Sequence, residues 1–218
     1  MKFLRGLIFI SILTLAGVNS LSAKESDSRT WIDLFATKKI KATTVGLIGE
    51  IYTMDNNSTL ERLSIGLKGD YSFFPWLSAG TGYVLINFNH QVYHELASRL
   101  YFQAEPSWHV ARFLFSFRER LQITLYPNTK TAEINTYYWR NRFETVYSGG
   151  KKKLEPLIDL ESLYLLNDID LNPFTEFRFT LGANYNMNHS QHFKFYGMFT
   201  DGTHLNRYIL GILYNFKL

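Results

Sequence analysis

The sequence predicts an all-β protein: a closed antiparallel up-and-down transmembrane β-barrel of about ten strands, with twelve as the alternative, behind a cleaved leader. Three observations carry this. From about residue 42 to the end, apolar and polar residues alternate in successive segments parted by short turn-forming clusters. The N-terminus has the charged, apolar, small-residue order of a secretory signal. After Ala23 no apolar stretch reaches the roughly 18 residues of a spanning helix, and the mean hydropathy is only −0.13. Strands that alternate apolar and polar residues cross a membrane with just such a soluble-looking average.

In chain order, Met1–Arg5 carries Lys2 and Arg5, and 6–18 is apolar except for Ser11 and Thr14. Small residues follow over 19–23, so 1–23 reads as a signal peptide cleaved after Ser22 or Ala23. Residues 24–41, with Trp31-Ile32-Asp33-Leu34-Phe35, are expected to be an N-terminal periplasmic segment or an extra strand. The barrel proper is expected over 42–218, with strands near 42–53, 60–73, 77–88, 94–106, 112–126, 131–147, 154–166, 174–187, 192–200 and 205–218. The breaks hold turn residues: Asp55-Asn56-Asn57-Ser58, Pro75, Pro106-Ser107, Pro127-Asn128-Thr129, Gly149-Gly150-Lys151, Asn172-Pro173, Asn188-His189-Ser190 and Asp201-Gly202.

Composition closes other routes. With no cysteine, disulfides, thiolate zinc sites, thiol catalysis and a lipidated cysteine are excluded. Aromatic residues make up 17% and charged residues 19%, which is not a disordered composition. The net charge of +4 falls to +2 once Lys2 and Arg5 leave with the leader, too little to imply nucleic acid as a partner.

Alternation gives each strand two faces. Leu63, Ile65, Leu67, Tyr71 and Phe73 oppose Arg62, Ser64, Lys68, Asp70 and Ser72. Phe177, Phe179, Leu181, Ala183 and Tyr185 oppose Glu176, Arg178, Thr180, Gly182 and Asn184. A soluble lipocalin-like barrel would turn the apolar face inward, whereas a membrane barrel turns it outward. Long strands, charges of both signs in mid-strand and small residues on both faces favour the second arrangement.

The C-terminus adds a further sign. Tyr208, Leu210, Ile212, Tyr214, Phe216 and Leu218 set an apolar residue at every second position. This resembles the C-terminal signal by which outer-membrane barrels engage their assembly machinery, although the usual final aromatic is here Leu218. Localisation in the bacterial outer membrane follows, with membrane lipid and the assembly machinery as expected partners. Counting back from a periplasmic C-terminus places Asp201-Gly202, Leu171-Asn172, Asn128-Thr129, His90-Gln91 and Asn56-Asn57 outside the cell. It places 188–190, 149–153, Ser107–Val110 and Phe74-Pro75 in the periplasm, and ten strands would return both termini there. Trp76, Trp108, Tyr71 and Phe73 then fall in a periplasmic aromatic belt.

From Trp31 onward the chain resembles an uncharacterised family of bacterial outer-membrane barrels, a domain of unknown function. The resembling segments are Glu95–Leu100, Phe117–Gln122, Trp139–Glu144 and Arg178–Tyr185, including the pairs Arg118/Arg120 and Arg140/Arg142. The resemblance implies fold and location but no activity. Glu119 departs from the pattern by falling on the apolar face, where a bulge or register shift is expected to turn it away from lipid.

The polar faces supply Arg62, Lys68, Arg99, Arg118, Arg120, Arg140, Arg142, Arg178, Lys194 and Arg207 against Glu50, Asp70, Glu95, Glu105, Glu144, Asp159, Glu161 and Glu176. In a barrel of about ten strands these should form a salt-bridged network and fill most of the lumen. The expected role is non-enzymatic, without metal or cofactor. A narrow channel or ligand site biased toward a small anionic solute is the alternative, since guanidinium binds carboxylate and phosphate. A lipid acyl hydrolase would need His90, His94 or His204 beside a serine and a carboxylate. Asn188-His189-Ser190 reads better as a turn, and His189 with His192 as no metal site.

Overall fold

The structure is a computed structural model and describes residues 26–90, 92–127, 135–149, 153–167, 174–202 and 205–218. The signal peptide 1–23, with its two candidate cleavage points, lies outside the described residues. So do Gln91, Asn128, Thr129, Gly150, Lys151, Leu171, Asn172, Pro173 and His204.

Eleven strands close one barrel: β1 (Ser26–Ile40), β2 (Thr43–Met54), β3 (Thr59–Phe74), β4 (Leu77–Asn89), β5 (His94–Val110), β6 (Phe113–Leu125), β7 (Thr136–Tyr147), β8 (Leu154–Leu165), β9 (Phe174–Asn186), β10 (Gln191–Gly202) and β11 (Asn206–Lys217). Ten neighbouring pairs are antiparallel, and the eleventh, β1 with β11, is parallel over Ser26↔Asn206 to Thr37↔Lys217. The expected count of ten, or twelve, is therefore corrected to eleven. The segment left open over 24–41 supplies the extra strand, since its residues 26–40 form β1. This strand pairs on both sides, so neither it nor β11 leaves an open edge.

An odd count makes the closing pair parallel and sends the two ends of the described chain, Ser26 and Leu218, to opposite rims. Ser26 shares the upper rim with the turns after β2, β4, β6, β8 and β10. Leu218 shares the lower rim with the turns after β1, β3, β5, β7 and β9. The expected return of both ends to the periplasmic rim is corrected to this extent: the barrel begins at one rim with Ser26 and ends at the other with Leu218.

The lower turn after β1 is the pair Lys41-Ala42, with Lys41 at φ 55°, and that after β5 is Ala111-Arg112, with Ala111 at φ 53°. The break expected at Pro106-Ser107 is absent, because β5 continues through both to Val110. Pro106 lacks an N–H, and the rungs toward β6 skip Glu105 and Pro106 before resuming at Ser107↔Ser116. Bulges fall instead at Tyr52/Thr53, Ser72/Phe74 and Leu163/Tyr164.

The faces sort by parity. Leu210 (70% exposed), Leu96 (67%) and Ile65 (66%) typify the outer surface, and their strand neighbours Ile209, Glu95 and Ser64 are buried. At the lower rim the exterior is aromatic: Phe74 stacks on Trp76 at 5.5 Å, Trp108 on Phe115 at 6.0 Å, and Tyr71 meets Phe73 edge-on at 4.8 Å.

Inside, one sector of the wall is apolar, with Ile48, Val84, Ile86, Ala97 and Tyr101 buried together. Glycines make room for the lumen tyrosines. Gly82 sits opposite Tyr101, and Gly182 and Gly211 flank Tyr196 on its two neighbouring strands. A Cβ on Gly182 would come within 2.5 Å of the Phe195 carbonyl oxygen, so this crossing admits only glycine without backbone movement.

Candidate functional site

The lumen charges are placed by strand parity and joined by strand order. On β6, β7 and β8, Arg118 lies opposite Arg142, Arg120 opposite Arg140, and Arg142 opposite Glu161. Glu161 is the central acceptor. Arg118 Nη2 donates to Oε1 at 2.8 Å, Arg140 Nη2 to both oxygens at 3.0 and 2.9 Å, and Arg178 Nη1 to Oε2 at 3.2 Å. Glu176 accepts from Arg178 Nε at 2.5 Å and Arg207 Nη1 at 3.1 Å. Lys194 Nζ donates to Glu144 at 2.7 Å and stands 3.6 Å from Asp159. Arg62 pairs with Glu50 at 3.3 Å and lies over the Tyr52 ring at 4.0 Å. Arg99, Arg118, Arg120, Arg140, Arg142, Glu144, Asp159, Glu161, Glu176 and Arg178 are thus gathered on one inner wall.

The residue patterns left several members unread. Asp33 of β1 enters the lumen and accepts from Tyr52 at 2.9 Å and Tyr196 at 3.4 Å. Arg29 bridges Asp27 at 2.6 Å and Glu61 at 2.7 Å near the upper rim. Gln103 Oε1 takes both Nε (3.1 Å) and Nη2 (2.6 Å) of Arg120. Treating 30–40 as a further strand was the signal that could have found Asp33, because Trp31, Asp33 and Phe35 share one parity.

Glu119 corrects the expected bulge. The β6–β7 register is unbroken from Phe113↔Tyr147 to Thr124↔Thr136, so Glu119 stays on the outer face in the middle of β6. Its carboxylate accepts a hydrogen bond from the Trp139 indole N–H, and Asn141 lies opposite it.

Among the described residues the lumen holds a cavity of about 610 Å³ toward the upper rim and another of about 300 Å³ toward the lower. Arg99, Arg118, Arg120 and Arg142 line both, together with Glu50. They form a waist of four guanidinium groups and one carboxylate.

The described histidines lie at the rims. His90 Nε2 is 3.3 Å from Glu95, and its ring stacks on Tyr93 at 4.7 Å. His94 opens β5 on its outer face, and His192 Nδ1 is 2.5 Å from Asn186 Oδ1. Asn188 Oδ1 accepts from the backbone N–H groups of Ser190 and Gln191, so 188–190 is an Asn-built turn. Among the described residues, no group of three or more His, Asp or Glu side chains could hold a metal ion. Tyr208, Leu210, Ile212, Tyr214 and Phe216 occupy the outer face of β11, and Leu218 follows them at the lower rim.

A closed barrel with an apolar exterior and an ion-paired interior is a β-barrel of the outer-membrane type. Within that class, residues 28–204 match the model of DUF2490, a protein family of unknown function, and the chain belongs to that family. No curated protein matches it. Among solved structures it is similar to the β domain of the Bordetella autotransporter BrkA, at 8% identity over 82% of each chain and a TM-score of 0.51. That likeness concerns the fold alone.

Proposed function

We propose that the protein is an integral outer-membrane β-barrel, non-enzymatic, whose charged and largely filled lumen serves as structural support and not as an open pore. The observation that carries this is the opposition of faces: large apolar side chains outward, and a lattice of ion pairs enclosed. A surface of this extent exposed to water would drive association, whereas hydrocarbon solvates it. Strands of 12 to 17 residues support the same reading. At about 3.3 Å per residue and a tilt near 40°, twelve residues rise about 30 Å, the thickness of a hydrocarbon layer. The lower-rim aromatics Trp76 and Trp108 fit an interfacial belt.

In this reading the lower rim faces the periplasm, the upper rim faces outward, and the even positions of β11 engage the assembly machinery. The test is fractionation of cells followed by gels run with and without boiling. Recovery in the outer membrane, extraction only with detergent, and a mobility change on boiling are expected. Release as a soluble periplasmic protein would refute it. Planar bilayers should show no conductance steps above background, and a stable single-channel current would replace the filled lumen by a channel.

A further inference from the structure

We infer that the waist of the lumen is a binding site for a small, multiply charged oxyanion of the phosphate or dicarboxylate class, reached through the upper cavity. The inference deepens the filled-barrel reading by naming what occupies its centre.

The argument begins with charge. Guanidinium groups do not lose their proton in proteins, so four arginines at the waist are four fixed positive charges. Glu50 is the one acidic residue that lines both cavities with them. Arg118 is hydrogen-bonded to Glu161 at 2.8 Å. The other three are not matched in this way. Arg99 Nη1 stands 3.8 Å from Glu50, and Arg142 Nη2 stands 3.8 Å from Glu105, both beyond hydrogen-bond reach. Arg120 has no carboxylate within ion-pair distance among the described residues. Its neighbours are neutral: the Gln103 amide oxygen and the Tyr101 ring, 4.3 Å from the guanidinium carbon.

Unmatched hydrogen-bond donors point the same way as the charges. The buried Nε atoms of Arg99, Arg118 and Arg142 have no hydrogen-bond partner, and these side chains are only 12%, 11% and 20% exposed. Water could accept from these groups, but it would leave the positive charge standing between low-dielectric walls. Like charges directly opposite on neighbouring strands are destabilising, yet Arg118 faces Arg142 and Arg120 faces Arg140. An oxyanion at the waist would offset the repulsion between Arg118 and Arg142 and accept from Arg120, whereas Arg140 is already held by Glu161 at 2.9 and 3.0 Å.

The site is also built in advance. Gln103 Oε1 takes the Nε and Nη2 side of Arg120 and the Tyr101 ring supports its face, so the guanidinium is held in place without losing its charge and its Nη1 end is left to donate to an anion. One guanidinium without a carboxylate (Arg120) beside two held only by long ion pairs at 3.8 Å (Arg99 and Arg142) matches an anion of more than one charge better than chloride. The upper cavity of about 610 Å³ is large enough to admit such a molecule.

The test uses the full folded barrel in detergent, with radiolabelled inorganic phosphate in equilibrium dialysis at constant ionic strength. Saturable binding near one phosphate per barrel is expected, displaced by succinate but not by equimolar chloride. Arg120→Gln and Arg99→Gln, checked for folding by heat-modifiable mobility, should each weaken binding about tenfold or more, while Lys38→Gln at the lower rim binds as the wild type. Absence of saturable binding to the wild-type barrel overturns the inference without any variant. Equal displacement by chloride, or unchanged binding in both folded arginine variants, also overturns it. A barrel that binds phosphate yet needs no detergent would refute the membrane reading and keep the site; one that requires detergent but binds nothing would refute the site alone.

Discussion

Replacing Glu161 by glutamine probes the network where it is densest. The Glu161 side chain is 5% exposed and receives four hydrogen bonds from three arginines, at 2.8 to 3.2 Å. Glutamine keeps the volume and one accepting oxygen, but removes the charge and turns an NH₂ group toward guanidinium. Hydrogen bonds to charged groups contribute about 1.5–3 kcal/mol against about 0.5–1.5 for neutral ones. A loss of about 1 kcal/mol at each of the four contacts, partly screened by water in the cavities, gives about 3 kcal/mol. For a chain of this length that corresponds to a midpoint lower by about 6–12 °C. The assay is the temperature at which the folded, fast-migrating gel band disappears in a fixed detergent. In a double-mutant cycle, Arg140→Gln with Glu161→Gln should cost about 1 kcal/mol less than the sum of the single changes. A midpoint for E161Q within about 2 °C of the wild type would refute the assignment of Glu161 as the centre of the lattice.

Three other outcomes follow from the same geometry. Glu119→Leu removes a carboxylate from the outer face and should stabilise the barrel in lipid vesicles by about 1 kcal/mol, read from the urea midpoint; destabilisation would mean that this face does not meet hydrocarbon. Gly182→Ala forces a Cβ against the Phe195 carbonyl oxygen and the Tyr196 side chain, and should cost about 1–3 kcal/mol, with a neutral result contradicting the tight crossing. Cysteines at Thr30 and Leu210, opposite each other across the parallel seam, should oxidise to a disulfide seen as altered mobility of the unfolded chain. Failure to cross-link in the folded barrel would return β1 to the status of a loose segment.

Much of the fold was legible because strands such as β3, β9 and β11 have one face that is nearly all apolar and one that is polar. Parity then places the lumen arginines from Arg62 onward without any knowledge of tertiary contacts. The first strand was obscured by its inner face, where Trp31 and Phe35 bracket Asp33, so that apolar residues lie on both sides and the alternation fades. The apolar sector of the lumen escaped notice for the same reason: Ile48, Val84, Ile86 and Ala97 lie in strands whose outer faces are apolar as well. Pro106 looked like a turn because it lacks a donor, yet a strand tolerates one missing rung when the opposite edge stays paired. In the sequence Glu119 looks like a register fault because a charge on that face is costly. The register holds, and the Trp139 indole supplies the local partner. Which arginine is matched to which carboxylate depends on side-chain reach across two or three strands, which no one-dimensional pattern encodes. Arg118 and Arg178 both reach Glu161, 43 and 17 residues away in sequence.

The direction of the two faces is tested most directly by neighbouring residues at the same depth. The chain has no native cysteine, so single cysteines at Leu67 and Phe195, and at their strand neighbours Lys68 and Lys194, can each carry a bimane label in barrels reconstituted with brominated lipid. Leu67 and Phe195 are outward and exposed, while Lys68 and Lys194 lie within the lumen. Strong quenching at 67 and 195 with little at 68 and 194 is the expected result. The reverse order, or equal quenching at all four, would contradict an apolar exterior wrapped around an enclosed lattice of charge.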